Sequence, residues 1–184
     1  MKEFKESGLL FRFSEKWDVY QLDTEADYRN KIAKQIPETR SIDFIGFNET
    51  EGTLLFVEVK SFRGYGDRKN MRRLSGEEDD LTIEIAQKVR DSLATIIGGA
   101  RHSTHLSDTW KKYIGHLNQG EALKVIAWVE LDVHTETLLS RAKINMGTRR
   151  RELKKRLTWL TSDVQILNTR NYANEIEGME VTMS

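Results

Sequence analysis

The chain has 184 residues, and its 29 Lys and Arg side chains balance its 29 Asp and Glu side chains, so its formal net charge is zero. This balance excludes proteins that hold nucleic acid through the charge of the whole chain, and leaves local basic patches as the electrostatic route to such binding. The sequence contains no cysteine, which excludes disulfides, thiolate zinc sites and cysteine nucleophiles. A chain of this length is expected to form a single domain over 1–184, or that domain with a small β appendage at 1–23.

The sequence predicts a protein without membrane segments. Residues 1–13 carry charges and no long apolar stretch, which argues against a secretory signal peptide. No stretch approaches the roughly eighteen apolar residues that a membrane-spanning helix needs. We therefore expect no membrane partner and a cytoplasmic location.

Short strands and one helix are predicted over the first third of the chain. The strands are rich in Ile, Phe, Leu and Val, and the helix ends before Pro37 because proline cannot continue it. A polar turn joins the last two strands into a hairpin. The predicted strands are 9–13, 17–22, 41–47 and 53–61, and the predicted helix is 24–36.

The rest of the chain alternates helices with apolar strands after a polar loop. The clearest helix keeps its apolar residues at helical spacing and is expected to end at Gly98 and Gly99, while a later, basic helix would break at Gly147. This alternation predicts an α/β fold with a mixed central β-sheet flanked by helices and covered on both faces. The predicted elements are a loop at 62–80, helices at 81–97, 108–117 and 138–160, and strands at 123–131 and 164–167, the last strand of the chain.

Two further patterns are an acidic run before a helix and three tryptophans within apolar segments. The acidic run 77–80 precedes the clearest helix, where the helix dipole favours negative charge, so we expect it to cap that helix. Trp110, Trp128 and Trp159 fall within apolar patterns and are predicted to lie in the core.

The predicted hairpin contains three charges within otherwise apolar strands. Asp43 lies in the first strand, and Glu58 and Lys60 lie in the second. Charges in such a strand are unfavourable unless they pair or bind a metal. Glu58 and Lys60 are two residues apart and therefore project from the same face.

The register of the hairpin decides whether Asp43 joins them. If Asn48 pairs with Thr53, Asp43 falls opposite Glu58, and all three charged side chains share one face near the open end of the hairpin. The same register collects the apolar side chains on the other face. A slip of one residue would put Asp43 on the wrong side.

Two carboxylates on adjacent strands repel each other, which favours the binding of a divalent cation between them. All-oxygen ligation suits Mg²⁺ or Mn²⁺, completed by waters and a substrate phosphate. A neighbouring lysine would orient or help to deprotonate an attacking water, or stabilise charge on the phosphate. The chemistry that this arrangement indicates is metal-assisted hydrolysis of a phosphodiester.

Asp43 on one strand and Glu58-Val-Lys60 on the next, followed by a helix, resembles the motif of the PD-(D/E)XK nuclease superfamily. The resemblance implies a restriction-endonuclease-like fold, with Asp43 and Glu58 as metal ligands and Lys60 assisting hydrolysis. Ile42 stands where the motif has proline. Some members use a glutamine of the following helix, which suggests Gln87, and some an additional acid from an early helix, for which Glu25 is one candidate.

Two basic segments are predicted to contact the phosphate backbone, which positions a nucleic acid without reading its bases. The first follows Lys60 directly, and the alternative for it is an ordinary surface loop. The second lies on the basic helix, where 141–156 carries eight Lys or Arg and one acid, and the alternative is a solvated helix face. The predicted binding residues are Arg63, Arg68, Lys69, Arg72, Arg73, Arg149, Arg150, Arg151, Lys154 and Lys155.

The sequence thus predicts a Mg²⁺- or Mn²⁺-dependent nuclease whose partner is nucleic acid, with DNA favoured. A homodimer would make cutting of both strands of a duplex easier. A non-catalytic module that binds nucleic acid or protein on the same fold, with a relict site, is the alternative from another class. A third interpretation is a small-molecule phosphoesterase, whose substrate binding would depend only weakly on salt.

Overall fold

The computed structural model describes residues 1–64, 71–72, 74–76, 80–120, 122–132 and 135–184. Three predicted nucleic-acid contacts, Arg68, Lys69 and Arg73, lie outside the described residues, as does 77–79 of the acidic run. Of that run, Asp80 is described. Its side chain accepts hydrogen bonds from the backbone N–H groups of Thr82 and Ile83, so the predicted cap is confirmed at this residue.

Among the described residues, eight strands form two sheets. Their bounds are β1 Lys2–Glu6, β2 Leu9–Phe13, β3 Trp17–Gln21, β4 Phe44–Asn48, β5 Thr53–Ser61, β6 Ala122–Glu130, β7 Asp163–Leu167 and β8 Met179–Met183. The larger sheet has the order β3-β4-β5-β6-β7, and the smaller one has the order β1-β2-β8. In the larger sheet β3, β4 and β5 are antiparallel, whereas β5, β6 and β7 are parallel. The predicted mixed α/β sheet is confirmed.

In the part of the chain that the structure describes, three long helices pack on one face of the five-stranded sheet. They are α1 (Leu81–His102), α2 (Ser107–Asn118) and α3 (Glu136–Arg156), and their buried residues share one core with Phe56, Val125 and Ile166 of the sheet. None of the helices among the described residues is both long and apolar enough to cross a membrane.

The other face of the large sheet is covered by the small sheet. Phe11, Phe13 and Met179 of the small sheet share a second core with Val57 and Trp128 of the large sheet. The prediction that 164–167 is the last strand is therefore wrong, because β8 follows and pairs with β2. Residues 1–23 contribute β1 and β2 to the small sheet and β3 to the edge of the large one.

The predicted helix boundaries differ from the structure at several points. Instead of one helix at 24–36 the chain forms three short pieces, Leu22–Thr24, Ala26–Tyr28 and Arg29–Ala33. The predicted end of α1 at Gly98 and Gly99 is wrong, because the helix continues to His102. The predicted break at Gly147 is also wrong, since α3 passes through it without interruption.

Two of the three tryptophans predicted to be buried lie in the core. Trp110 and Trp128 are fully buried, but Trp159 is 59% exposed, so the prediction that Trp159 lies in the core is wrong. Trp159 lies after Arg156, beyond the end of α3, in a short turn where helical spacing no longer decides which side chains face inward.

Candidate active site

The hairpin of β4 and β5 has the predicted register. Asn48 pairs with Thr53 and Phe44 pairs with Val57, so Asp43 comes next on one strand and Glu58 on the other. The carboxylate of Asp43 accepts a hydrogen bond of 2.6 Å from the backbone N–H of Val59. This bond fixes the Asp43 side chain at the end of the sheet where β5 ends.

Glu58 is the centre of a buried ionic network. Its side chain is only 1% exposed, and its Oε1 accepts from Lys88 Nζ at 2.6 Å and pairs with Lys60 Nζ at 3.1 Å. Its second oxygen, Oε2, is buried and has no hydrogen-bond partner among the described residues. A buried carboxylate oxygen without a donor is unfavourable, and a cation would satisfy it.

Both carboxyl groups of the hairpin are disfavoured in their charged forms. Burial, together with the negative charge of Glu58, raises the pKa of Asp43 to about 7, although the Val59 hydrogen bond opposes the shift. Burial also raises the pKa of Glu58, although the Lys88 and Lys60 charges oppose this. Removal from water is therefore the main reason that the charged forms of both groups are disfavoured, and a bound cation would stabilise them.

Lys60 is held as an ammonium group by two acids. Its Nζ lies 2.7 Å from Glu84 Oε1 and 3.1 Å from Glu58 Oε1. Burial lowers the pKa of Lys60, but the Glu58 charge and the Glu84 hydrogen bond outweigh burial and leave the pKa raised. In this arrangement Lys60 donates hydrogen bonds and positive charge, and it has no free electron pair with which to accept a proton.

Two further acids reach the same edge of the sheet. One carboxylate oxygen each of Glu6, Asp23 and Asp43 lies within 4.8 Å of the other two. Burial raises the pKa of Asp23, and the Glu6 charge adds to the shift. Sequence reasoning missed both residues, although Asp23 directly follows a predicted strand. Glu6 reaches the cluster from the small sheet, and no spacing in the sequence indicates that.

The helix α1 contributes residues that sequence reasoning did not select. Glu84 and Lys88 are four apart and project from one side of α1, where they meet Lys60 and Glu58. The four-residue spacing of Glu84 and Lys88 was the sequence signal that could have identified them as neighbours on the helix. Gln87 lies on the adjoining outer face of α1, where it lines a surface hollow with Ile83 and Trp159 and not the carboxylate cluster.

Glu25 lies apart from the carboxylate cluster as well. Burial raises its pKa, and the neighbouring charges that affect it are those of His105 and Asp27. Of the acids in this early helical region, Asp23 is the one that joins Asp43.

An open cleft of about 310 Å³ gives solvent access to the cluster. Asp23, Asp43, Glu84 and Lys88 line it, together with Arg40 at its rim. Arg40 NH1 lies 3.4 Å from Glu84 Oε1. The cleft thus brings two cationic side chains to the same opening as three carboxylates, a charge pattern that suits a metal-bound phosphate.

The described residues of the two basic segments differ in their surroundings. Arg149 forms a 2.8 Å ion pair with Glu152 and packs against Gly76, and Arg150 Nε donates to the carbonyl of Val164. Arg63 is half-buried beside the sulfur of Met183. The exposed members of the set are Arg72, Arg150, Arg151, Lys154 and Lys155.

The donor set as a whole suits a hard divalent cation. Asp43 and Glu58 would hold it, and the unpartnered Oε2 of Glu58 is the atom that fits such a ligand, while Asp43 is also within 4.8 Å of the carboxylate oxygens of Glu6 and Asp23. Comparison with protein-family models, with curated proteins and with solved structures finds no match.

Proposed function

We propose that the protein is a Mg²⁺- or Mn²⁺-dependent nuclease of restriction-endonuclease-like fold. The observation that carries the proposal is the pair of buried, interacting carboxylates of Asp43, which directly precedes β4, and Glu58 of β5, together with Lys60, which pairs with Glu58. The raised pKa values of the two acids and the unpartnered oxygen of Glu58 support a cation between them. The resemblance to the PD-(D/E)XK motif supports the same assignment.

In this proposal each side chain has a separate task. Asp43 and Glu58 hold the cation, which when bound polarises the phosphate and lowers the pKa of a coordinated water. Lys60, kept protonated by Glu84 and Glu58, donates a hydrogen bond to a phosphate oxygen and stabilises the charge that grows there during attack. Hydrolysis adds water across one P–O bond, so the departing oxygen leaves with a proton.

The substrate class follows from charge outside the cleft. The exposed cations Arg151, Lys154 and Lys155 lie on α3, and Arg72 lies in the segment after β5. A polyanion such as DNA would contact several of these at once, and its binding would weaken steeply with salt, whereas a small phosphoester would not. Each chain offers one such centre, so cleavage of both strands of a duplex would be easier for a homodimer.

Substitution of the strand residues tests the proposal directly. Glu58→Ala and Lys60→Ala are each expected to lower Mg²⁺-dependent cleavage of DNA by at least about 100-fold, because each removes an interaction with the reacting phosphate or its cation. Lys124→Ala is the matched control, since Lys124 is also a strand lysine but pairs with Asp163 instead of with the cluster. Cleavage by the Glu58→Ala, Lys60→Ala double variant at the wild-type rate would contradict the proposal.

One observation favours the non-catalytic alternative. Lys88 and Lys60 both contact the same oxygen of Glu58, so the site carries cations of its own. Isothermal titration of Mg²⁺ and Mn²⁺ into wild type and into Asp43→Asn separates the two functions. Metal uptake by wild type that Asp43→Asn loses is expected of the nuclease, and negligible uptake by both proteins, with and without DNA, is expected of a binding module.

A further inference from the structure

Gly147 occupies a position at which glycine weakens the fold. It lies in the middle of α3, where glycine destabilises a helix by about 1 kcal/mol relative to alanine. A Cβ built on Gly147 would meet no heavy atom within 4 Å, so no close approach of another segment requires the missing side chain. Gly99 differs, because Trp110 packs directly against it.

The missing side chain of Gly147 leaves room beside a cavity. The cavity has a volume of about 480 Å³ and lies between the first half of α3 and the ends of β6 and β7. Leu139, Met146 and Ile166 form apolar walls. Such a volume, with apolar walls and a few polar groups, is typical of a site for a small ring system.

Three cations line the same cavity. They are Lys143 and Arg150 of α3 and Arg170 of the segment after β7. One acid, Glu130, also lines it, but its carboxylate already accepts three hydrogen bonds from the protein. Arg150 Nε donates to the carbonyl of Val164, which holds its guanidinium against β7. An occupant with an apolar ring and a negative charge would therefore match both parts of the lining.

The cavity opens at the same edge and on the same face of the sheet as the candidate active site. Lys60 pairs with Val129, and Trp128 pairs with Leu167, so Asn168 of the cavity lining continues the row of Lys60 and Val129. Strands are spaced about 4.8 Å apart, which separates Lys60 from Asn168 by about 10 Å. With a rise of about 3.4 Å per nucleotide in a duplex, and more when bases unstack, this distance is one to three nucleotides along a strand.

We infer that the cavity binds one nucleotide of the nucleic-acid strand whose neighbouring phosphate lies at Asp43 and Glu58. The base lies between Met146 and Ile166, and the cations hold its phosphate. This inference rests on the proposed function and adds a subsite that fixes the strand relative to the cleavage position. A continuous strand is the occupant because the cavity shares its sheet edge with the carboxylates and because its cations match a phosphate on each nucleotide.

The test fills the cavity from Gly147. Gly147→Phe would project a ring into the opening without a backbone clash, and Gly147→Ala gives an intermediate change. Gly115→Phe is the matched control, because Gly115 is a helical glycine on α2 that also faces open space but lies away from the cavity. The measurement is the Kd of labelled single-stranded oligonucleotides by fluorescence anisotropy in EDTA, so that cleavage is not needed, with circular dichroism and Tm confirming the fold.

When a single abasic site is moved along the oligonucleotide, we expect it to weaken binding to wild type at one position only, near the cleavage position. Gly147→Phe should weaken binding of the intact oligonucleotide by about 5- to 150-fold, the effect of one stacked base, and should no longer distinguish the abasic position. Gly115→Phe should behave as wild type does. A nucleoside monophosphate serves as competitor, to separate a strand from a free nucleotide.

Several results would overturn the inference. Equal Kd values for Gly147→Phe and wild type would do so, as would the same dependence on the abasic position in both proteins. The inference would also fail if wild type bound no oligonucleotide, or if Gly147→Phe weakened binding of the monophosphate but not of the oligonucleotide. The outcome is separable from that of the proposed function. Oligonucleotide binding that depends on Gly147, without any metal-dependent cleavage, would contradict the nuclease function and support the subsite. Metal-dependent cleavage with oligonucleotide binding unchanged in Gly147→Phe would support the nuclease function and contradict the subsite.

Discussion

At the scale of single residues, the site depends on which charges the strands bring together. Asp43, which directly precedes β4, is only 8% exposed, and Glu58 of β5 is 1% exposed. The sequence was sufficient to predict this pair and Lys60, because side chains of a strand alternate between two faces and only one register buries the apolar set. It was not sufficient to predict Glu6 or Lys88, because nothing in the sequence shows which part of the small sheet or which side of α1 meets the hairpin.

The raised pKa of Asp43 predicts a pH dependence of stability for the metal-free protein. A carboxyl group whose folded pKa is about 7, against an ordinary value near 3.8, takes up its proton more readily in the folded state. Wild type should therefore gain stability as the pH falls from 8 to 5, by about 2 kcal/mol relative to Asp43→Asn, which lacks the titrating group. Urea unfolding of both proteins in EDTA at each pH measures the difference, and a difference that does not change with pH would contradict the raised pKa.

At the scale of elements, packing overrides local propensity in α1. The two adjacent glycines predict a helix end, yet the helix continues through both. A Cβ on Gly99 would lie 2.4 Å from Cδ1 of Trp110, so the absence of a side chain lets α2 approach α1 closely. The glycine therefore serves helix–helix contact and not helix termination.

The two glycines of α1 give a matched pair of substitutions. Gly99→Ala is expected to destabilise the protein by about 1–3 kcal/mol, because the new methyl overlaps the buried Trp110 ring. Gly98→Ala should be neutral or stabilising by up to about 1 kcal/mol, since its Cβ would face open space and alanine favours the helix. The free energy of unfolding in urea checks both, and equal effects of the two substitutions would contradict the packing role.

At the scale of the whole molecule, the second face of the sheet is closed by strands from both ends of the described chain. The central strand β2 pairs with β1 on one side and with β8 on the other, across most of the sequence. This sheet also carries Glu6 to the carboxylate cluster, so the cover of the second core and one acid of the candidate site come from the same sheet.

The two methionines of β8 test the contribution of this cover. Met179 is 1% exposed and Met183 is 52% exposed. Met179→Ala should destabilise the protein by about 2–4 kcal/mol, because it leaves a cavity in the core between the two sheets. Met183→Ala should change stability by less than about 0.5 kcal/mol. Thermal or urea unfolding measures both, and a similarly small effect at Met179 would show that β8 does not stabilise the fold.

The sequence by itself determined the hairpin, its register and the proximity of Glu58 and Lys60 on one strand face, because the strand period and the turn length leave few arrangements of so many apolar residues. It also determined the mixed α/β class. Only the tertiary structure decided which distant residues meet there, since Glu6, Asp23, Glu84 and Lys88 arrive on separate elements. It likewise decided that the helices continue through their glycines and that Trp159 is exposed. The reason is that contacts between elements, and not local propensity, determine which side chains have room and which are covered.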